Sequence, residues 1–177
     1  EGGDRAWVRP GSTWRGRAGE APNGMNAILL VSEEQGRSWT SAIIEFDRWA
    51  EHIIHWEQHF LELRDGRWLT VAWVVNLDTG QTLATPYAIS RDGGATWKRD
   101  LTGFLAQTTK TIELPDGRIL AVYRRNDEPG LWATTARVDG DTWVNEETGP
   151  LWRGQAAGMT GGTNPGDVLI KTGATTA

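Results

Sequence analysis

The chain has 177 residues, a formal net charge of −5, 11 Trp and 22 Gly, and no Cys. A hydrophobic fraction of 38% with a charged fraction of 23% is typical of a folded globular protein and argues against disorder. Without Cys there is no disulfide framework or thiolate site, and the acidic balance argues against a nucleic-acid partner. The longest strongly apolar run, 71–75, is far shorter than the ~20 residues of a membrane helix, so no membrane partner is expected.

The chain is divided by its patterning into three stretches. Residues 1–24 are polar, Gly-rich and without an initiating Met, so we expect an irregular segment of a processed product or of a longer protein. Residues 25–46 carry the outer strands of a first unit, and 151–177 form a tail or the start of a next unit. Between them we predict eight short strands, at 55–63, 68–75, 83–90, 97–99, 109–114, 118–124, 131–138 and 143–145.

Internal repeats connect these strands. Residues 61–69 recur 51 positions later at 112–120, and both copies contain an Asp-Gly-Arg turn between apolar segments, a strong hairpin signal. The box Ser-Arg-Asp-Gly-Gly-Ala-Thr-Trp at 90–97 has a looser copy at 32–39 and a degraded one at 140–143. We interpret the box as a structural fastener in which a carboxylate and a Trp close the turn.

About four antiparallel strands per roughly 50 residues are typical of one β-propeller blade. The sequence therefore predicts an all-β fold with about three blades, one partial and two complete, within 25–150. Closed rings use about four to eight blades. A second copy forming a homodimer, or a complementing chain, is expected to close the propeller.

The two boxes and the two Leu-x-Asp-Gly-Arg turns resemble the Asp-box, or BNR, repeats of the sialidase superfamily. That resemblance implies a six-bladed propeller that hydrolyses terminal sialic acids through a Tyr nucleophile, with an activating Glu, an Asp acid/base and three Arg that bind the substrate carboxylate. It also implies that Arg124, eight residues past Asp116, is one of these arginines, with Arg125 beside it. The alternative for Arg124 is a strand-end ion pair with Asp127 or Glu128. At the position of the family's Glu the chain has Thr108.

All three His of the chain lie within 52–59, around Glu57. Strand alternation would place His55, Glu57 and His59 on one face, where two imidazoles could tune a carboxylate for proton transfer. The alternatives are a hydrogen-bonded polar strand and a metal site, although the spacing lacks the pattern of known zinc motifs. Among the Trp residues, Trp56, Trp73 and Trp132 are candidates for a sugar-stacking platform, Trp56 first.

These features predict a sialidase-like glycoside hydrolase that acts on a terminal, acidic sugar, with Glu57, His55 and His59 catalytic and with Arg124, Arg125 and Trp56 binding substrate. A carbohydrate is the expected partner, and no cofactor or metal is expected. Two alternatives remain open. One is a carbohydrate-binding propeller without catalysis, in keeping with Thr108, and the other is a structural, split propeller.

Overall fold

The computed structural model describes residues 6–15, 18–22, 24–125 and 127–153. This part of the chain is all-β, as predicted, and has no α-helix, only a 3-10 turn at Trp49–Glu51. The strands are β1 Trp7–Ser12, β2 Ala27–Ser32, β3 Ser41–Phe46, β4 Ile53–Glu62, β5 Trp68–Asn76, β6 Ala84–Ser90, β7 Lys98–Leu105, β8 Gln107–Glu113, β9 Ile119–Arg125, β10 Gly130–Asp139 and β11 Thr142–Arg153. No helix in these ranges is long and apolar enough to cross a membrane.

The strands form three antiparallel sheets in which chain neighbours pair. The first sheet is β1-β2-β3, the second is β4-β5-β6-β7 and the third is β8-β9-β10-β11. The first strand of each sheet contacts the first strand of the next, since β1 lies against β4 and β4 against β8. Because strands alternate in direction, the β4–β5, β6–β7 and β8–β9 turns share one rim, and the ends of β5, β7 and β9 share the opposite rim.

The repeated box adopts the same hydrogen-bonded turn in two sheets. Between β6 and β7, Ser90 Oγ accepts the Gly94 N–H at 2.8 Å, and Asp92 accepts the Thr96 N–H at 2.8 Å and its hydroxyl at 2.6 Å. These donors hold the pKa of Asp92 at about 2. Between β2 and β3, Ser32 Oγ accepts the Gly36 N–H at 2.8 Å. The predicted fastening role fits this geometry.

The second sheet packs on its two neighbours with different side chains. Toward the third sheet it buries large residues, with Phe104 stacked on Tyr123 at 4.5 Å and Tyr87 packed at 6.0 Å from Trp143. Toward the first sheet the buried cluster consists of Ala27, Phe46, Ala72 and Ala88, with Trp97 packed against it. Alternation on β5 and β6 separates these sets, because successive side chains point to opposite faces.

The structure differs from the expected element bounds in three places. Strand β1 lies inside the 1–24 segment that was expected to be irregular, and Trp7–Ser12 pairs there with β2. Strands β7 and β11 are longer than the predicted 97–99 and 143–145, and β11 extends to Arg153, into the expected tail. The rest of that tail, 154–177, lies outside the described residues.

Candidate functional site

A repeated backbone irregularity marks the site. Strand β4 has a register shift between Trp56 and His59, and β8 has one between Gln107 and Lys110, 51 residues later. Within them Glu57 has φ 44° and Thr108 has φ 48°. A β-branched residue at positive φ is a conformational outlier, and such strain persists where the surrounding structure imposes it, often at functional sites.

These two bulges bring Glu57 and Thr108 together with Arg124. The Thr108 hydroxyl donates a short hydrogen bond to Glu57 Oε2, and Arg124 Nη2 lies 3.5 Å from the same oxygen and donates to Thr108 Oγ1. The Glu57 side chain is 45% exposed and that of Arg124 is 18% exposed. The carboxylate is therefore accessible, while the guanidinium is held in one orientation.

Arg125, the next residue on β9, makes the ion pairs that were considered for Arg124. Its Nε donates to Asp127 at 3.0 Å, and its Nη2 lies 3.1 Å from Glu128. Its guanidinium also covers the ring of Trp132 at 4.6 Å. The hydrogen bond from Arg125 lowers the pKa of Asp127 and raises that of Arg125. Arg125 is thus tied to its own strand end.

A cleft of about 460 Å³ opens beside these arginines, at the rim opposite the box turns. It is bordered by Gln81, Gln107, Arg124, Arg125 and Asp127. Its volume lies within the ~300–1,000 Å³ of small-ligand sites. The rim therefore offers a cleft bordered by two guanidinium groups and two side-chain amides, with Leu105 and Ala106 also in its wall.

The expectation that His55, Glu57 and His59 share one face is wrong. The bulge inserts one residue into β4, and a shift of one residue moves every later side chain to the other face. His55 faces the first sheet and stacks on Phe46 at 5.2 Å, whereas His59 Nδ1 accepts the Thr111 N–H of the third sheet at 3.1 Å.

Both imidazoles are held neutral. Burial lowers the pKa of His55 to about 4, helped by the charge of Arg48. Burial lowers the pKa of His59 to about 4 as well, helped by Lys110. Among the described residues, no group of three or more His, Cys, Asp or Glu could hold a metal ion. The two His therefore behave as packed polar residues of β4.

The Trp candidates are placed differently from one another. Trp56 packs against Trp14 at 5.0 Å and Trp73 at 5.1 Å, forming an aromatic cluster next to Glu57 in the chain. Trp14 is 59% exposed, so part of this cluster faces solvent. Trp132 is 6% exposed beneath Arg125, so its expected role as an exposed platform is wrong.

One charged residue near Glu57 was missed by the sequence reasoning. Burial lowers the pKa of Lys110, and the nearby Glu57 carboxylate acts in the opposite direction. The 51-residue repeat that equates Thr108 with Glu57 also equates Lys110 with His59. Extending the repeat comparison from the hairpin turns to the first strands would have identified it.

Neither a family model nor a curated protein matches the sequence. Solved structures do match. A protein of unknown function from Dyadobacter fermentans is 22% identical, with a TM-score of 0.56, and the match covers 80% of this chain and 38% of that protein. A Hadza microbial sialidase is 18% identical, with a TM-score of 0.51, over 72% of this chain and 25% of the sialidase. The likeness shows a sialidase-like fold, and the chain spans well under half of either neighbour.

Proposed function

We propose that the chain forms three blades of a sialidase-like, Asp-box β-propeller, and that its cleft beside Arg124 binds the carboxylate of a terminal acidic sugar. Three sequential antiparallel sheets, the repeated box turns and the likeness to part of a sialidase support the fold. On this proposal a homodimer or a complementing chain supplies the missing blades.

The observation that carries the binding proposal is the anchoring of Arg124. Glu57 and Thr108 hold its Nη2 end, so the guanidinium loses little conformational freedom when it binds an anion. A guanidinium makes two parallel hydrogen bonds to a carboxylate, which gives geometric selectivity as well as energy. Arg125 and Gln107 border the same cleft. The Trp56 cluster offers aromatic faces on which a sugar ring could stack.

For hydrolysis, Glu57 is the residue we assign to proton transfer. Its carboxylate is exposed, and Arg124 and Lys110 place positive charge beside it. We leave His55 and His59 out of this step because they face away from each other into neighbouring sheets. Proton transfer by a positioned carboxyl group contributes ~10²–10⁴-fold to a rate.

The nucleophile would come from outside the described residues. The Tyr87 hydroxyl is engaged by the Asp141 carbonyl at 3.2 Å and the Trp143 N–H at 3.0 Å. The Tyr123 hydroxyl is buried against Thr134 Oγ1 at 2.8 Å. Since both are occupied in the core, we expect hydrolysis only from a completed ring and binding from this chain.

The second candidate is a carbohydrate-binding propeller without catalysis. It is favoured by Thr108, which occupies the position where the sialidase family has its activating Glu. A threonine hydroxyl can orient Arg124 but cannot accept a proton as a general base at neutral pH. The two candidates share the binding step and differ only in turnover.

The test of the binding step compares a methyl sialoside with its uncharged methyl ester by calorimetric titration. We expect the acid to bind at least tenfold more tightly, and Arg124→Ala to remove that preference. Arg137→Ala is the matched control, because Arg137 forms an ion pair with Glu146 at 2.6 Å on the outer strands. Equal binding of acid and ester by the unmodified chain would overturn the proposal.

The test of turnover uses an umbelliferyl sialoside with the chain in its ring-forming assembly. Glu57→Gln should abolish hydrolysis and leave binding equal or tighter, because it removes a negative charge near the bound carboxylate. Binding without hydrolysis by the unmodified protein would select the second candidate. Unchanged hydrolysis in Glu57→Gln would exclude Glu57 from the reaction.

A further inference from the structure

The two sheet interfaces of the second sheet are filled unequally. On the side of the third sheet, Tyr87, Phe104, Tyr123 and Trp143 close the interface with four aromatic rings. On the side of the first sheet, the buried side chains that β5 and β6 contribute to the cluster are those of Ala72 and Ala88. Small side chains on one face of a strand pair leave space that large ones would fill.

On this side a cleft of about 540 Å³ opens between β3 of the first sheet and β6 and β7 of the second. Its walls include Phe46, Val74, Ala84, Pro86 and Leu101, which are apolar. The volume lies in the range of ~300–1,000 Å³ found for small-ligand pockets, which are predominantly apolar with a few placed polar groups. None of its residues borders the cleft at Arg124.

Four charged side chains line this cleft, two positive and two negative, and both arginines already donate hydrogen bonds. Arg48 forms a bidentate salt bridge with Glu51, in which Nε and Nη2 each donate a hydrogen bond to the carboxylate. Arg99 donates to the backbone carbonyls of Glu45 and Trp97, at 2.5 and 3.3 Å. The two remaining charged residues of the lining are Asp47 and Asp100. A ligand with a full charge would therefore meet side chains of the same sign as well as of the opposite sign.

His55 supplies the polar group. The residue is 2% exposed and borders the cleft, and its ring stacks on Phe46 with an interplanar angle of 11°. Its Nδ1 is buried and has no hydrogen-bond partner among the described residues. An unsatisfied buried nitrogen is unfavourable, and a neutral hydrogen-bonding group on a ligand is the partner that would relieve it without adding charge.

We propose that this cleft is a second binding site, which takes an uncharged aromatic small molecule against the stacked rings of His55 and Phe46. The apolar lining, the balanced charges and the unpartnered imidazole nitrogen all favour this class of ligand over a sugar acid. The site is independent of the acidic-sugar site, because the two clefts share no residue and lie on opposite faces of the second sheet.

The test is a fluorescence titration with N-phenyl-1-naphthylamine, an uncharged aromatic probe whose emission rises in apolar surroundings. We expect saturable binding of one probe per chain, and at least tenfold weaker binding of its sulfonated analogue, 8-anilinonaphthalene-1-sulfonate. No saturable binding of the uncharged probe would overturn the proposal. Equal or tighter binding of the sulfonate would overturn its assignment to an uncharged ligand.

Variants locate the bound probe. Ala84→Phe fills the cleft from its wall and should weaken probe binding at least tenfold, whereas Ala42→Phe, on the exposed part of β3, is the matched control and should not. Leu101→Glu is a second test at a 55% exposed wall residue that should not impair folding, and it should weaken binding similarly. Arg124→Ala should leave probe binding unchanged. Full affinity in both Ala84→Phe and Leu101→Glu would refute this location.

Discussion

Glu45 offers a quantitative test of how the first and second sheets pack. It lies near the end of β3 with no exposed surface, and neither carboxylate oxygen has a hydrogen-bond partner among the described residues. Burial raises its pKa from the ordinary 4.5 to about 7, while the nearby Thr70 hydroxyl and the Arg99 charge oppose this only in part. The folded protein therefore keeps a proton on Glu45 at pH values where the unfolded chain has lost it.

The sign of the effect follows from this difference. The stabilising contribution of the protonated carboxyl is complete below pH 4.5 and is lost as the pH rises toward about 7. A pKa change of this size corresponds to about 3 kcal/mol in the free energy of unfolding. Because Gln cannot ionise, Glu45→Gln should become more stable relative to the unmodified protein by most of that amount between pH 5 and pH 8.

Urea unfolding followed by Trp fluorescence at pH 5, 6, 7 and 8 measures the stability difference between the two proteins. Glu33→Gln, at an exposed carboxylate, shows how much of the change comes from net charge alone. A stability difference between Glu45→Gln and the unmodified protein that stays constant from pH 5 to 8 would refute the reasoning. It would mean that Glu45 is hydrated or ion-paired in the folded state.

Two further predictions concern the turns and the core. Gly94 has φ +88°, and a Cβ there would lie 2.9 Å from Ile43 Cδ1 and 3.0 Å from the bulky ring of Trp68, so Gly94→Ala should destabilise the protein by ~2–4 kcal/mol in urea unfolding. Gly93→Ala, where φ is +66° and the Cβ would meet nothing within 4 Å, should lose only ~1–2 kcal/mol; equal losses would contradict the packing argument. Trp143→Ala in the core should lose ~3–5 kcal/mol, and Trp152→Ala, 40% exposed, much less; the ranking is checked by the same assay.

The strands with repeated turns were predictable, and those with irregular composition were not. The two Asp-Gly-Arg turns and the box gave β4, β5, β6, β8, β9 and β10 to within about three residues, because turn chemistry is local. Strand β1, with the sequence Trp-Val-Arg-Pro-Gly-Ser, contains Pro and Gly and exists because β2 provides a pairing partner. Strand β11 is almost entirely exposed, so it carries no alternation that would predict its 12 residues.

The candidate site was predictable in its residues and not in its orientation. Repeat and family spacing identified Glu57, Thr108 and Arg124, which the structure brings together across 67 residues of chain. The bulges at Glu57 and Thr108 carry no Gly or Asn that would signal positive φ. Simple alternation, which takes no account of the bulge, predicted His55 and His59 on one face. The single residue inserted at the bulge explains why that prediction was wrong.

The repeat explains why the site lies between sheets and not within one. Glu57 and Thr108 occupy the same bulged position in successive first strands, so the same backbone geometry presents a carboxylate from one sheet and a hydroxyl from the next to the same place. Arg124, from the end of β9, contacts Thr108 within the third sheet and reaches Glu57 because the third sheet packs on the second. A single repeat would therefore keep the contact between Arg124 and Thr108 and would lose the contacts of both residues with Glu57. The packing of large aromatic residues between these two sheets, in contrast to the open cleft on the other face of the second sheet, thus brings Glu57 next to Thr108 and Arg124.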